Sequence, residues 1–414
     1  MVKCITVCLP ARLQYFYKRF KSFSNHTDCF AHIKCLCSYL AMDGRRNLRW
    51  LGVLSTYIPP LTFSIYQTTR GENIVGIGYH FIMIMHSLIA LFKMTTLRLN
   101  SEKIQTLINY FNAHVFHRDD PQCYHLRRKT YFITWKICFA LAAHFILNVA
   151  AAFATTGPKS PYIGLCEKQI VWYQEIMLLV IISCIMVHMC IYSTAILIVS
   201  FLMHWFQTEL EIVATAFSRI IHVKPQGAQG NGVHYLRILF QREEVRWTGI
   251  ERRMIYCISR HGEIIDLIKL LREIVEPIFF ALGFYIVTSI STMIFLMYSD
   301  GLYNVLAVGH ILAVIFEFYY YAHLVDDLDD KNHLIATVIY KQDWSTQMRY
   351  SSRFAKQYKS VKSMILIVIM HSQRPFRFTC GGLYKMTVPV FTALVETIYV
   401  AVTFMLRTIK IQRY

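Results

Sequence analysis

Apolar residues in this chain gather into seven long blocks instead of recurring at every second or fourth position. The blocks cover 51–66, 74–92, 131–154, 171–205, 277–298, 302–324 and 364–406. A helix of about 20 apolar residues spans the hydrocarbon core because it satisfies its own backbone hydrogen bonds there. The pattern therefore predicts an all-α, polytopic membrane protein with seven transmembrane helices. The first block is short and carries Pro59-Pro60, which must kink or cap it. The fourth is longer than a bilayer needs, so its end should project into the cytoplasm. The seventh is split: 364–370 is apolar, Arg374, Pro375, Arg377, Gly381 and Gly382 interrupt it, and 388–406 resumes.

Composition agrees. The 414 residues are 55% hydrophobic and 16% charged, with mean hydropathy +0.38, where soluble domains carry about 25% charge. The net charge of +18 would suggest nucleic acid on a soluble protein, but its placement argues otherwise. Of the Lys and Arg residues, 32 lie in the N-terminal tail and the segments 98–129, 219–272 and 331–362, against 6 on the other side of the blocks. Basic residues are retained in cytoplasmic loops. The bias predicts the N-terminus inside and, after seven crossings, the C-terminus outside. Arg407, Lys410 and Arg413 and the glycosylation triplet Asn25-His26-Thr27 pull the other way. The expected layout is a cytosolic segment 1–50, six spans over 51–324 with helical cytosolic extensions, a cytosolic anchor with the split seventh helix over 325–406, and a short external tail 407–414. No cleavable leader is read at the N-terminus, and no nucleic-acid partner is expected.

Enzyme and metal chemistry find little support. There is no His-Glu-x-x-His and no Gly-x-Ser-x-Gly. The five cysteines before the first block (Cys4, Cys8, Cys29, Cys35, Cys37) lack zinc-site spacing. No cofactor is expected. The Gly-rich run at 225–232 follows no strand and precedes no Lys-Ser/Thr, so it reads as a flexible break between helices and not as a phosphate loop. His80, His86, His144, His188 and His310 fall in or near the blocks, as do Glu175, Glu317 and Glu396. Acids at that depth must face protein or water, either as structural hydrogen bonds or along an ion path. Seven helices also suggest a G-protein-coupled receptor, but that class has the opposite topology, and neither Asp-Arg-Tyr after the third block nor any Asn-Pro occurs. A transporter reading lacks an internal repeat.

The C-terminal stretch carries more specific signals. Tyr340-x-x-x-Trp344, Gln373-Arg374-Pro375, and Cys380-Gly381-Gly382-Leu383-Tyr384 followed by Thr387, Phe391, Tyr399, Thr403 and Leu406 resemble the motifs of the insect odorant receptor family, as does Arg260-His261 upstream. Val400 and Glu396 depart from that pattern. The sister gustatory receptors, which share the architecture, end in Thr-Tyr, five apolar residues and Gln-Phe. Ile398-Tyr399 and Met405-Leu406 fit that ending less well.

The resemblance implies an odorant-gated, nonselective cation channel in the plasma membrane of a sensory neuron. A small volatile organic ligand would open it, and a co-receptor subunit would complete a heterotetramer in the lipid. It further implies a pocket in the outer halves of helices two, three, four and six. Those halves contain Tyr79, His80 and Met83; His144, Asn148 and Ala151; Trp172, Tyr173, Met177 and Ile181; and Tyr303, Ala307 and His310. Aromatic and Met walls with few polar groups suit such a ligand. By position relative to Tyr399, Val402 and Leu406 correspond to the family's hydrophobic gate. Their i, i+4 spacing puts them on one helix face, and an apolar ring can close a pore by dewetting. A packing role is the simpler reading of each residue taken singly. The orientation is open to direct measurement: an epitope attached at Tyr414 should bind antibody on intact cells, and labelling only after permeabilisation would reverse the topology.

Overall fold

The computed structural model describes residues 47–70, 74–113, 116, 120–155, 172–220, 233–300, 305–342, 344, 350 and 352–412, with Phe23, Phe30 and Lys34 before them. Within them run α1 (Asn47–Ser55), α2 (Ile58–Arg70), α3 (Ile74–Leu99), α4 (Ser101–Ala113), α5 (Pro121–Thr155), α6 (Trp172–Arg219), α7 (Val233–Asp300), α8 (Val305–Lys341), α9 (Ala355–Ser372) and α10 (Val388–Gln412). A short antiparallel ribbon, β1 (Thr379–Cys380) and β2 (Tyr384–Lys385), separates α9 from α10. The seven apolar blocks fall on α1–α2, α3, α5, α6, α7, α8 and α9–α10. Among the described residues, three stretches are long and apolar enough to cross a bilayer, namely His80–Leu99, Ser183–Arg219 and Arg246–Ile294, with a shorter apolar run Val388–Phe404. The fold is an all-α bundle of long apolar helices.

Local chemistry explains where the helices break. The chain turns at Thr56 and Tyr57, and α2 restarts at Ile58. Pro59 and Pro60 thus sit in a first turn, where a missing N–H loses no intrahelical bond. The start of α5 is built the same way, with Pro121 in first position and Asp120 as its cap: Asp120 Oδ1 accepts the Gln122 N–H at 2.8 Å. Arg219, in the last turn of α6, donates to the other oxygen of that carboxylate and so ties the two helix ends together.

The fourth block lies on a helix longer than a bilayer needs. α6 has 48 residues, about 72 Å of helix at 1.5 Å per residue. α7, with 68 residues, runs through Pro277 without ending, so the fifth block and the amphipathic stretch before it form one rod. The Gly-rich run at 225–232 lies outside the described residues. The apolar core continues along these extensions: Phe201, Trp205, Phe206, Leu210, Val213 and Phe217 of α6 are all buried. Trp205 meets Phe30 and Phe111 at ring distances of 5.9 and 6.1 Å.

The interruption of the seventh block is a hairpin. α9 stops at the Gln373-Arg374-Pro375 turn because proline cannot continue a helix and biases its predecessor away from helical geometry. In the ribbon Thr379 pairs with Lys385 and Cys380 with Tyr384. The turn between them closes through Leu383 N–H to Cys380 O at 3.1 Å, with Gly381 at φ +60° and Gly382 at φ +79°. Two successive positive φ angles favour glycine at both positions. Gly283 of α7 lets the ribbon dock, because the Tyr384 hydroxyl occupies the space a Cβ would need. Gly283→Ala should therefore lower stability by about 1–3 kcal/mol through overpacking. Adding Tyr384→Phe, which removes the hydroxyl, should recover most of the loss in thermal unfolding of the detergent-solubilised protein.

Candidate functional site

The thirteen residues predicted to line the pocket distribute as follows. Tyr79, His80 and Met83 lie on α3; His144, Asn148 and Ala151 on α5; Trp172, Tyr173, Met177 and Ile181 on α6; Ala307 and His310 on α8. Tyr303 lies outside the described residues, and of the others only His80, Met83 and His144 have described side chains. His80 and Met83 are half-buried. His80 meets the edge of Phe63 at 5.7 Å, so α2, which the pocket expectation omitted, borders this region. His144 is exposed on α5, as are Phe139, Ile146 and Leu147.

Deeper along α3 and α6 the bundle interior becomes polar. His188 of α6 stacks on Tyr57 at 3.8 Å. Its Nδ1 lies 3.3 Å from Ser87 Oγ, and its Nε2 lies 3.5 Å from Thr56 Oγ1. Thr56 already donates to Val53 O, so it accepts from Nε2–H, and Ser87 donates to Nδ1. Next along α3, His86 Nδ1 lies 3.1 Å from the Tyr285 hydroxyl of α7. Toward the C-terminal ends of both helices, Lys93 of α3 reaches Glu317 of α8 at 2.5 Å with both side chains buried. Tyr192 of α6 donates to the same carboxylate, and the Lys93 ammonium lies 3.6 Å from the Tyr192 ring centroid. A buried charge pair repays its desolvation only when further hydrogen bonds and aromatic faces complete the shell. Here four helices contribute to that polar interior.

A second buried pair lies further along α6. Arg127 of α5 holds Glu209 at 3.0 Å with both side chains buried, and Arg260 of α7 approaches the same carboxylate at 3.6 Å. Arg127 also donates to Phe116 O, and the Arg260 guanidinium lies over the Tyr110 ring at 4.3 Å. Arg260-His261 thus acquires a structural account: Arg260 joins the ion cluster, and His261 Nε2 lies 2.9 Å from Asn332 Oδ1 of α8.

The root of α10 rests on polar groups from α7 and α8. Asp326 Oδ2 accepts the Val388 N–H at 2.9 Å, and Asp329 Oδ1 accepts the Phe376 N–H at 2.8 Å. Glu276 Oε1 accepts the Thr379 N–H and its hydroxyl at 3.0 and 2.7 Å. Asn332 Nδ2 donates to the carbonyls of Ser372 and Arg374 at 3.0 and 3.3 Å, meeting the demand of carbonyls left open at the end of α9. Burial pushes the Asp329 carboxyl above its ordinary value, with Asp326 and Asp330 adding to the effect and the Phe376 N–H and Lys385 opposing it.

Along α10, Phe391, Leu394, Ile398 and Val402 form the stripe packed on the protomer, with Phe391 against Phe318 and Tyr319 of α8. Tyr399, Val400 and Phe404 form the exposed stripe, and Glu396 is exposed as well. Within one protomer Val402 shares the packed face of Ile398. Leu406 is helical, with its side chain outside the described residues.

Long apolar helices pinned by buried ion pairs, with a hairpin-rooted final helix, define a multi-pass helical membrane protein. The family model described as 7tm Odorant receptor matches residues 73–399, so the chain belongs to that family. Among solved structures, it is similar to the insect olfactory receptor OR5 from Machilis hrabei in complex with eugenol. The TM-score is 0.66 at 12% identity, covering 91% of this chain and 97% of that one. A second structure of that receptor aligns with TM-score 0.66 at 11% identity and the same coverage. At such identity the likeness is one of fold. No curated protein matches the chain. The family and its fold are those of receptors, not enzymes.

The residues that sequence reasoning missed are Lys93, Tyr192, Asp326, Asp329 and Asn332. Lys93 and Glu317 carried a usable signal, since opposite charges lie just past the end of the second apolar block and late in the sixth. Which blocks are neighbours was not legible. Lys93→Met or Glu317→Gln alone should cost about 3–5 kcal/mol by stranding the partner, whereas Lys93→Met with Glu317→Leu should recover most of it. Unfolding of the purified variants in detergent reads the difference.

Proposed function

We propose that this chain is an odorant-gated, nonselective cation-channel subunit of the plasma membrane of a sensory neuron dendrite. It works beside a co-receptor subunit in a heterotetramer, with its N-terminus cytosolic and Tyr414 external. The observation that carries this reading is the likeness of fold, over 91% of the chain, to a receptor whose structure contains eugenol, joined to the family match over residues 73–399. Charge placement supports the orientation.

The ligand is a small volatile organic molecule, held in the N-terminal portions of α3, α6 and α8 and the C-terminal portion of α5. Tyr79, His80, Met83, Asn148, Ala151, Trp172, Tyr173, Met177, Ile181, Tyr303, Ala307 and His310 belong to this region, with exposed His144 at its margin. About ten heavy atoms at roughly 0.6 kcal/mol each give about 6 kcal/mol, or half-activation near tens of micromolar. The ligand opens the pore only by binding the open state more tightly than the closed one, because equal affinity shifts nothing. The polar interior around His188 and Lys93 lies beyond the pocket and holds the helices in register.

The exposed stripe of α10, with Tyr399, Val400 and Phe404, is the surface available to neighbouring subunits and the pore. Leu406 closes the pore as an apolar ring, with Val402 one turn before it. In cells that also make the co-receptor, an odorant panel should evoke current that survives blockade of G proteins, and abolition by that blockade would sink the channel reading. Leu406→Ala should raise basal leak. Val402→Ala decides the role of the inward stripe: leak at normal surface level assigns it to the pore, and loss of folded protein without leak assigns it to packing.

A further inference from the structure

α8 is one unbroken helix that carries three different tasks along its length. Ala307 and His310 lie near its N-terminal end, in the region assigned above to the ligand. Glu317, locked to Lys93, lies further along. Asp326, Asp329 and Asn332 follow at intervals of three, which puts them along one face of the helix. All three bind main-chain groups of the segment that leads into α10: Val388 N–H, Phe376 N–H, and the Ser372 and Arg374 carbonyls. Glu276 of α7 holds the same segment through Thr379.

These contacts differ in kind from those further along α10. There the helix packs through one apolar stripe and leaves Tyr399, Val400 and Phe404 exposed. Apolar contacts are non-directional and let a helix slide or tilt. Carboxylate-to-N–H bonds are short and directed, and they fix both distance and angle. The Asp326 carboxylate also faces the positive end of the α10 dipole. The root of α10 is thus held by directed bonds, while the rest of the helix is held by non-directional apolar packing.

We propose that this carboxylate seat is the link through which α8 sets the tilt of α10, with Asp326 as the positioning residue. A shift of α8 carries its aspartates, and with them the first turn of α10, without any bond to the ligand passing through α10 itself. The inference rests on the channel reading above.

The test records basal and maximal odorant-evoked current, with surface labelling, in cells making the full-length chain and the co-receptor. Asp326→Leu removes the acceptor at similar size, whereas Asp326→Asn keeps a carbonyl oxygen in its place. Val388→Pro deletes the donor of the same bond at a helix position where proline is tolerated. Asp326→Leu and Val388→Pro should each change the basal-to-maximal ratio by about threefold or more at normal surface level, the shift expected from losing a helix-terminus interaction in one state only. Asp326→Asn should stay within about twofold of the parent, because an acceptor remains. A parent that conducts with unchanged ratios in both disruptive variants overturns the seat alone. Retention of both variants inside the cell also overturns it, since a contact needed only for folding transmits nothing. A parent without odorant current overturns the channel reading and the seat together.

Discussion

A polar group inside an apolar bundle must find a polar partner, because no water is there to take its hydrogen bonds. The arrangement of this receptor follows from that demand. Lys93 meets Glu317 and Tyr192, and Arg127 with Arg260 meets Glu209. Each pair joins different helices, and each excludes rotated or shifted packings that would strand a charge. Apolar surface alone would accept many such packings, since Leu, Ile and Phe stripes on neighbouring helices are close to interchangeable.

Between these pins the long helices act as struts. α6 and α7 continue well past bilayer length, and their buried residues run on into the extensions. The proposed pocket region, the polar interior and the seat of the last helix therefore lie on shared long helices. The helices are interrupted at the turn at Thr56 and Tyr57 and at the hairpin between α9 and α10. Even the hairpin is closely specified, by two glycines with positive φ, the docking of Tyr384 on Gly283, and four polar side chains that grip its backbone.

A shared fold at 12% identity is consistent with this division of labour. Bilayer-length apolar blocks tolerate substitution among similar side chains. The turn motifs are constrained residue by residue, and they are what made the family legible. Gln373-Arg374-Pro375 ends a helix, and Cys380-Gly381-Gly382-Leu383-Tyr384 forms the ribbon's turn. The candidate pocket was legible only as a region. Its aromatic and Met residues look like ordinary packing, and His144 illustrates the limit: a polar residue in an apolar block gives no sign of whether it faces inward or out. Val402 shows the same limit on α10, where one-turn spacing identifies a face but not what that face meets.

Several features were determined by the sequence alone: the apolar blocks, the broken first and seventh, the overlong fourth, the charge bias, and the motif-level membership. These depend on residue type and short-range spacing, which the chain carries in one dimension. Only the tertiary structure decided that Lys93 pairs with Glu317, that Arg260 shares Glu209 with Arg127, and that Asp326 binds the first N–H of α10. Such partners are separated by tens to hundreds of residues, and which helices become neighbours is an outcome of packing in three dimensions. A lone charge states that it needs a partner, and only the folded bundle says which one it has.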